Sequence, residues 1–265
     1  MIDYHMHTKL CKHARGEAHE FIETAIAAGI TEIAFTDHIP LPDGFDLQHR
    51  MAENEIELYI RWIESLQIRY PGIKIRLGIE ADYIEGLEEY LFKFLNTYDF
   101  DVVIMAVHFL KHWPADQWVF AYDFPGKPIE AIYLDYLETV IRGIRTGLFD
   151  ILGHADIIKN PAAPLLSVVP GGVYKLLSEI KSAGMAMEIN TSGFRKPIGE
   201  SFPALNWLGA AQRYGIPLTI GSDAHRPSQI ALRFPEVYIR LEQFNINRLA
   251  TFEKRQMKYY SLNRE

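Results

Sequence analysis

Seven short apolar runs typical of β-strands recur along the chain, and helical patterns separate them. The predicted strands cover residues 2–5, 32–36, 73–79, 102–107, 150–153, 186–189 and 217–220. The predicted helices cover about 17–28, 52–70, 87–96, 129–146, 171–183, 203–214 and 246–256. Alternating strands and helices favour parallel βαβ units, and runs such as VVIMAV are apolar enough to be buried on both faces. The pattern predicts one α/β domain over residues 1–265, folded as a distorted, TIM-like barrel of seven strand–helix units. No GxGxxG motif follows the first strand, which disfavours a dinucleotide-binding sheet.

Residues of the types that bind metal ions follow nearly every predicted strand. The carboxyl ends of barrel strands meet at one face, so these side chains should converge there. His5 and His7 lie two residues apart, as do Asp223 and His225, and residues at this spacing on a strand face the same side. Each residue alone could be an ordinary buried or exposed side chain. Together they predict a site for more than one metal ion and metal-assisted hydrolysis. The predicted ligands are His5, His7, His13, His38, Glu80, His108, His154, Asp223 and His225.

The composition narrows the possible partners. The net charge of −7 and the sequence pI of about 5.8 disfavour a nucleic-acid backbone as the partner, although one or two cations could still capture a phosphate. The single cysteine, Cys11, excludes an intrachain disulfide and a Cys-rich zinc site, and we interpret it as a loop or packing residue. No secretory signal or membrane-length apolar run is visible, so we expect a soluble cytoplasmic protein, either monomer or homodimer. His19, His49 and His112 are expected to lie outside the metal site.

The motifs resemble those of the polymerase-and-histidinol-phosphatase (PHP) superfamily: an initial HxH, then TDH, a strand-ending glutamate, a strand-ending histidine, GH and a final SDAH. The resemblance extends over about the whole chain to the histidinol-phosphatase branch. It rests on the segments DYHMHTKLCKHARG, FTDHIP, GIEADYIEG, AVHFL, GHADIIKN, EINTSGFRKP and GSDAHRP.

The resemblance implies the PHP fold and a site for three divalent transition-metal ions, described with zinc, manganese or iron. The ligand types do not decide among these metals. Mapped onto this chain, His5, His7, Glu80 and Asp223 would hold one ion. Glu80 would bridge to a second ion held by His108 and His154, and His13, His38 and His225 would hold the third. The implied reaction hydrolyses L-histidinol phosphate to L-histidinol and phosphate, a step of histidine biosynthesis, through a metal-bridging hydroxide.

Further residues are candidates for substrate contacts. Arg195, Lys159 and Arg226 are predicted to bind phosphoryl oxygens. Asp37 could protonate the leaving group or orient a ligating imidazole, and the residues leave both roles open. Asp82 and Glu85 could accept a substrate amine or stay solvated. Aromatic residues of the long 109–128 segment could wall an imidazole pocket or pack the loop: Trp113, Trp118, Phe120 and Tyr122.

Three alternatives stay open. The first is a PHP-type phosphoesterase acting on another small phosphomonoester or on a nucleotide phosphodiester. The second is a non-catalytic metal-binding scaffold, but such a degenerate chain should lack ligands and this chain lacks none. The third is a carboxylated-lysine amidohydrolase, which needs a lysine where Glu80 and His108 stand.

Overall fold

The computed structural model describes residues 1–111, 117–120 and 126–262. Within these residues the main sheet has seven parallel strands in sequential order. They are β1 (Ile2–Met6), β2 (Glu32–Phe35), β3 (Lys74–Asp82), β4 (Val102–Ala106), β5 (Ile151–Leu152), β6 (Ala186–Asn190) and β7 (Leu218–Gly221). The described helices are α1 (Ala18–Ala27), α2 (Ile56–Arg69), α3 (Glu88–Thr97), α4 (Ile129–Arg145), α5 (Leu165–Val168), α6 (Pro170–Ala183), α7 (Leu208–Tyr214) and α8 (Phe234–Gln243).

The sheet nearly closes into a barrel through contacts just beyond β7. Ala224 forms a parallel bridge with Met6 at the end of β1. The His7 backbone N–H donates to the Ala224 carbonyl at 2.9 Å, and the Ala224 N–H donates to the His5 carbonyl at 3.4 Å. The predicted α/β barrel of seven strands is therefore confirmed, and its seam lies among the predicted ligands.

The strands are buried on both faces, as their continuous apolar runs predict. Every residue of β1, β4 and β6 is buried. The helices instead bury one face each: α4 buries Ile132, Tyr136, Val140 and Ile144 at helical spacing. α6 ends at Gly184, whose positive φ of 68° is readily adopted by glycine. No α-helix within the described ranges is long and apolar enough to cross a bilayer.

The predicted helix at 246–256 is wrong. This segment contains strand β8 (Arg248–Glu253), which pairs antiparallel with β9 (Gln256–Ser261). The connecting residues Lys254 and Arg255 both have positive φ, as a tight two-residue hairpin turn requires. Asp101 holds this turn, because its side chain accepts from the Lys254 N–H at 3.0 Å and its carbonyl from the Arg255 N–H at 2.9 Å.

Four further features differ from the predictions, two missed helices and two boundaries. The terminal helix is α8, which precedes the hairpin and was missed, as was the short α5. In the predicted helix at 203–214, only α7 is α-helical. The third strand extends to Asp82, which pairs with Ala106 of β4, so Glu80 lies inside β3 rather than at its end.

Candidate metal centre

The carboxylate of Glu80 lies among the predicted ligands near the carboxyl ends of the barrel strands and is 1% exposed. Its two oxygens face different imidazoles. Oε2 lies 3.3 Å from Nε2 of His5, 3.5 Å from Nε2 of His7 and 2.9 Å from Nδ1 of His38. Oε1 lies 2.8 Å from Nε2 of His154 and 3.8 Å from Nε2 of His108. One carboxylate could therefore serve two adjacent ions, one on each oxygen.

Asp223 completes the group around His5 and His7. Its Oδ1 lies 3.3 Å from Nε2 of His7 and 3.9 Å from Nε2 of His5, and these three side chains bring donor atoms within 4.8 Å of one another. Asp223 has a φ of 50° and His154 a φ of 24°, and residues other than glycine rarely adopt positive φ angles. Such strain is often found at functional sites, where the surrounding fold holds it in place.

A third group lies nearer the open mouth. The His13 and His225 rings are 4.4 Å apart, and the His13 and His38 rings are 5.5 Å apart. His225 also brings a donor within 4.8 Å of donors on His7 and His38. Cys11, expected to be a loop or packing residue, is fully buried. Its sulfur lies within 4.8 Å of donor atoms on His13 and His225. It is the one soft donor at the site.

Hydrogen bonds from the outer side fix several of these rings. Nδ1 of His5 lies 2.7 Å from Oε1 of Glu188, and Nδ1 of His13 lies 2.7 Å from the Cys11 carbonyl. Nδ1 of His225 lies 3.0 Å from the Asp223 carbonyl. A ring whose Nδ1–H is bound in this way presents Nε2 as the lone-pair donor, which is the arrangement metal-binding histidines usually show.

The donor set fits divalent metal ions. Buried atoms without a hydrogen-bond partner include Nε2 of His5, His7 and His225, Nδ1 of His38 and Oε2 of Glu80. Leaving such atoms unpaired in the interior is costly, and bound cations would satisfy them together. Burial alone would raise the pKa of Glu80, but the imidazoles of His38 and His5 hold it well below its ordinary value. Burial lowers the pKa of His38 to about 3, so this ring is neutral and able to ligate.

Asp37 lies behind His7 rather than in the pocket. It is fully buried, and both of its oxygens accept hydrogen bonds from Thr8, one from the backbone N–H at 2.6 Å and one from the hydroxyl. Nδ1 of His7 lies 3.6 Å from Asp37 Oδ1. Of the two roles open for Asp37, this geometry favours orienting His7 over protonating a leaving group.

The expectation that Asp82 accepts a substrate amine is wrong for this geometry, because the extension of β3 turns Asp82 into the interior. It is 0% exposed; its Oδ1 lies 2.9 Å from Nδ1 of His108 and its Oδ2 accepts from Arg50 at 3.0 Å. Glu85 is paired with Arg142 outside the main pocket.

Arg50 extends this network from Asp82 to the mouth, and sequence reasoning missed it. The side chain is fully buried and also donates to Oδ2 of Asp46 at 3.0 Å. Oδ1 of Asp46 in turn lies 2.7 Å from Nδ1 of His49. A continuous hydrogen-bonded chain therefore links His108 to His49.

The main pocket, as we call the cavity beside the ligand cluster, is open and has a volume of about 500 Å³. Its described lining consists of His13, His49, Trp118, Phe120, Ser192, Arg195, Lys196, Asp223, His225 and Gln229. Trp118 lies 5.3 Å from the His49 ring and 4.7 Å from the His108 ring, so it forms part of a wall beside the ligands. Trp113, Tyr122 and His112 fall outside the described residues.

Two of the three predicted phosphate-binding cations do not line this pocket. The ammonium of Lys159 is buried and bound to the Ser201 carbonyl at 2.5 Å and to Asp156 and Glu200 at 3.1 Å each. Arg226 is exposed and outside the described lining. Arg195 does line it, with Nη1 and Nη2 donating to the carbonyls of Ser222 and Asp223 at 2.9 and 2.8 Å.

Sequence reasoning also missed Lys196 and Glu188. Lys196 lines the pocket but stood next to the more conspicuous Arg195. Glu188 is a charged residue between apolar neighbours inside β6, a signal that could have marked it. Its Oε1 receives the bond from His5, and its Oε2 accepts from the His154 N–H at 2.9 Å. A Cβ at Gly221 would overlap both Glu188 and His5, so only glycine leaves room for this pair.

Comparisons with known proteins agree with this geometry. The PHP domain model matches residues 3–192. The chain is 36% identical to a Deinococcus radiodurans protein named as a probable histidinol-phosphatase, over 97% of this chain and 98% of that protein. It is 31% identical to the histidinol-phosphatase of Bacillus subtilis, over 88% and 96% of the two chains.

The solved structure of histidinol phosphate phosphatase from Lactococcus lactis contains zinc, L-histidinol and phosphate. It matches 97% of this chain and 98% of its own with a TM-score of 0.83 at 23% identity, a likeness that shows the fold. The chain belongs to the PHP domain family, within its histidinol-phosphatase group.

Glu188→Gln should weaken metal binding about 10- to 100-fold while the fold survives, because the amide keeps the shape but not the charge behind His5. Competition with a chromogenic chelator measures this affinity. Glu64→Gln, on the exposed face of α2, is the control and should bind metal like the parent. Equal affinities in the two variants would contradict the role of Glu188.

Gly221→Ala should lower the free energy of unfolding by about 1–3 kcal/mol and reduce bound metal, because its methyl group displaces Glu188 and His5. Gly171→Ala is the matched control. No atom lies within 4 Å of a Cβ at this helical position, so it should stabilise by about 0.4–1 kcal/mol. Urea unfolding and metal analysis of both variants test the contrast, and unchanged metal content in Gly221→Ala would refute it.

Proposed function

We propose that this protein is a metal-dependent phosphomonoesterase that hydrolyses L-histidinol phosphate to L-histidinol and phosphate, and so acts in histidine biosynthesis. The observation that carries the proposal is the Glu80 carboxylate, buried with each oxygen facing its own group of imidazoles. The names of the relatives, and the zinc, L-histidinol and phosphate bound by the Lactococcus lactis protein, support the choice of substrate. The cytoplasmic location stays a prediction.

We assign the ligands to three divalent ions. His5, His7 and Asp223 would hold the first ion with Glu80, in keeping with their mutually close donor atoms. His108 and His154, which face the other oxygen of Glu80, would hold the second. His13, His38 and His225 would hold the third, with the Cys11 sulfur close by. The nitrogen-rich donor set suits zinc, iron or manganese.

Bound at these positions, divalent ions would lower the pKa of water to about 7 and neutralise charge that develops on the phosphoryl group. The chain's own residues prepare the site for them. Glu188 and Asp82 orient His5 and His108 from behind through hydrogen bonds, and Asp37 lies 3.6 Å behind His7. Because the rings of His5 and His108 are held in this way before substrate arrives, they should need little reorganisation during the reaction.

The rest of the substrate would lie along the aromatic side of the pocket. Phosphate at the ligand cluster and near Arg195 leaves the alcohol portion facing His49, Trp118 and Phe120. A flat imidazole can stack on or meet the edges of such rings. His49 is held by Asp46, so it offers a fixed hydrogen-bonding edge to the substrate as well as a ring face.

Purified protein loaded with zinc or manganese should release phosphate from L-histidinol phosphate far faster than from an aryl phosphate or a nucleotide phosphodiester. Prolonged chelation should abolish the activity, and added metal should restore it. A colorimetric phosphate assay follows all three substrates. Equal rates on the two monoesters would leave a general phosphomonoesterase, and a preference for the diester would overturn the proposed reaction.

His154→Ala should reduce turnover by at least about a thousandfold, because it removes one of two imidazoles on Oε1 of Glu80. The matched control is His19→Ala in α1, which is not among the residues that line the pocket and should keep parental turnover. Steady-state kinetics at saturating metal, with thermal melts to verify folding, test the pair. Near-parental turnover in folded His154→Ala would remove that residue from the catalytic site.

A further inference from the structure

The segment that follows β6 turns sharply beside the main pocket. Thr191–Arg195 form a 3-10 turn, and the Asn190 side chain accepts from the Ser192 N–H at 2.9 Å. A Cβ at Gly193 would overlap the Glu200 carbonyl, so the turn is packed tightly against the segment behind it. This packing holds the residues after β6 in fixed positions at the edge of the pocket.

Lys196 extends from this turn into the pocket lining, and its ammonium lies against two aromatic rings. Nζ lies 4.6 Å from the centre of the Phe120 ring and 5.5 Å from that of Phe202. Within the described parts of the chain, no carboxylate, carbonyl or hydroxyl accepts a hydrogen bond from it. Burial lowers the pKa of this lysine, an effect that the negative charge of Asp223 opposes.

The two neighbouring cations, Lys159 and Arg195, already donate hydrogen bonds to groups of the protein. The ammonium of Lys159 donates to the Ser201 carbonyl and pairs with the carboxylates of Asp156 and Glu200. Arg195 binds two backbone carbonyls, one of them that of Asp223, and so fixes the loop that carries a predicted ligand. An ammonium has three donors and no acceptor, and a partly buried one is stabilised when an anion fills them. Arg195 thus uses two of its five N–H donors on backbone carbonyls, whereas no group in the described residues accepts a hydrogen bond from the Lys196 ammonium, so all three of its donors are available to a ligand.

A second polar group on the same turn also lacks a partner. Ser192 lines the pocket, is 3% exposed, and its Oγ has no hydrogen-bond partner in the described structure. Its neighbour Thr191 has an equally buried hydroxyl without a partner but does not belong to the described lining. The pair Ser192 and Thr191 therefore offers a comparison between two similar hydroxyls, one beside the pocket and one away from it.

We propose that Lys196 and Ser192 form a phosphoryl-oxygen subsite in which Nζ and Oγ–H donate to the phosphate group, while Arg195 mainly positions the Asp223 loop. This assignment rests on the proposed phosphatase function for its substrate. Its ligand chemistry is a tetrahedral dianion, so inorganic phosphate can test it without turnover. The two aromatic rings hold the ammonium in place by cation–π contact until the anion arrives.

The test is calorimetric titration of inorganic phosphate into the metal-loaded protein at constant pH and ionic strength. Lys196→Met, which keeps the apolar stem between the rings, should bind phosphate about 10- to 100-fold more weakly. Ser192→Ala should bind about 3- to 10-fold more weakly. Lys196→Arg should recover most of the loss, because the positive charge and donors return.

Two controls separate the subsite from general effects. Thr191→Val removes the neighbouring hydroxyl and should leave phosphate affinity unchanged. Arg226→Gln removes a positive charge beside His225 but outside the described lining, and should also leave it unchanged apart from a small effect of the long-range field. Metal content and melting temperature are measured for every variant. If Lys196→Met does not fold, the phosphate affinities of Lys196→Arg and Ser192→Ala decide whether the subsite exists.

Parental phosphate affinity in folded, metal-loaded Lys196→Met and Ser192→Ala would overturn the subsite, as would absence of phosphate binding by the parent protein. An equal loss in Thr191→Val would also overturn it, because the effect would then come from the turn's packing. Failure of the parent to hydrolyse L-histidinol phosphate would reject the proposed function alone, since the phosphate titration judges the subsite independently.

Discussion

A carboxylate buried among five imidazoles is the constraint on which the upper half of this barrel depends. Glu80 lies inside β3, and transfer of its charge from water would be prohibitive without compensation. Compensation comes from rings delivered by neighbouring elements: His5 and His7 on or just past β1, His38 after β2, His108 after β4 and His154 after β5. Sequential strand order brings these elements side by side, so the same topology that forms the barrel also assembles the ligand cluster.

A second layer of anions stands behind the rings. Glu188, Asp82 and Asp37 are almost completely buried, and each faces the outer nitrogen of a different histidine. With Glu80 and Asp223, they place five carboxylates in a small volume. The imidazoles cannot all be protonated at once, because like charges at these separations oppose each other and burial lowers the pKa of His38 to about 3. Divalent cations are the chemical species that balance such a set, which is why the cluster is better explained as a metal centre than as a hydrogen-bonded core.

The sequence alone predicted the parts of this protein that follow from local rules. Strand-end residues converge in any parallel barrel, so His5, His154 and Asp223 could be placed without coordinates. The errors arise where tertiary contacts decide. The length of β3 depends on pairing with β4, and that pairing turns Asp82 inward towards Arg50. Lys159 was predicted to bind phosphate and Lys196 was missed, because nothing in GHADIIKN or FRKP reveals which ammonium meets Asp156. The segment at 246–256 has both apolar spacing and charge typical of a helix end, and only packing against β7 and Asp101 makes it a hairpin.

The buried Arg50 connects the predicted metal ligand His108 with His49 at the mouth of the pocket. Through Asp82 it fixes the ring of His108, and through Asp46 it fixes His49 at the mouth, with four contacts of 2.7–3.0 Å along the way. Nη2 of Arg50 donates to both carboxylates, while Nη1 donates to the Ile39 carbonyl at 2.9 Å, so the planar guanidinium binds three acceptors from three parts of the chain at once. His49 is therefore joined to the predicted metal ligand His108, and the Trp118 ring lies against both of them. If phosphate binds at the ligand cluster as proposed, the fixed position of His49 relative to His108 would favour phosphomonoesters whose alcohol is flat and long enough to reach the aromatic wall.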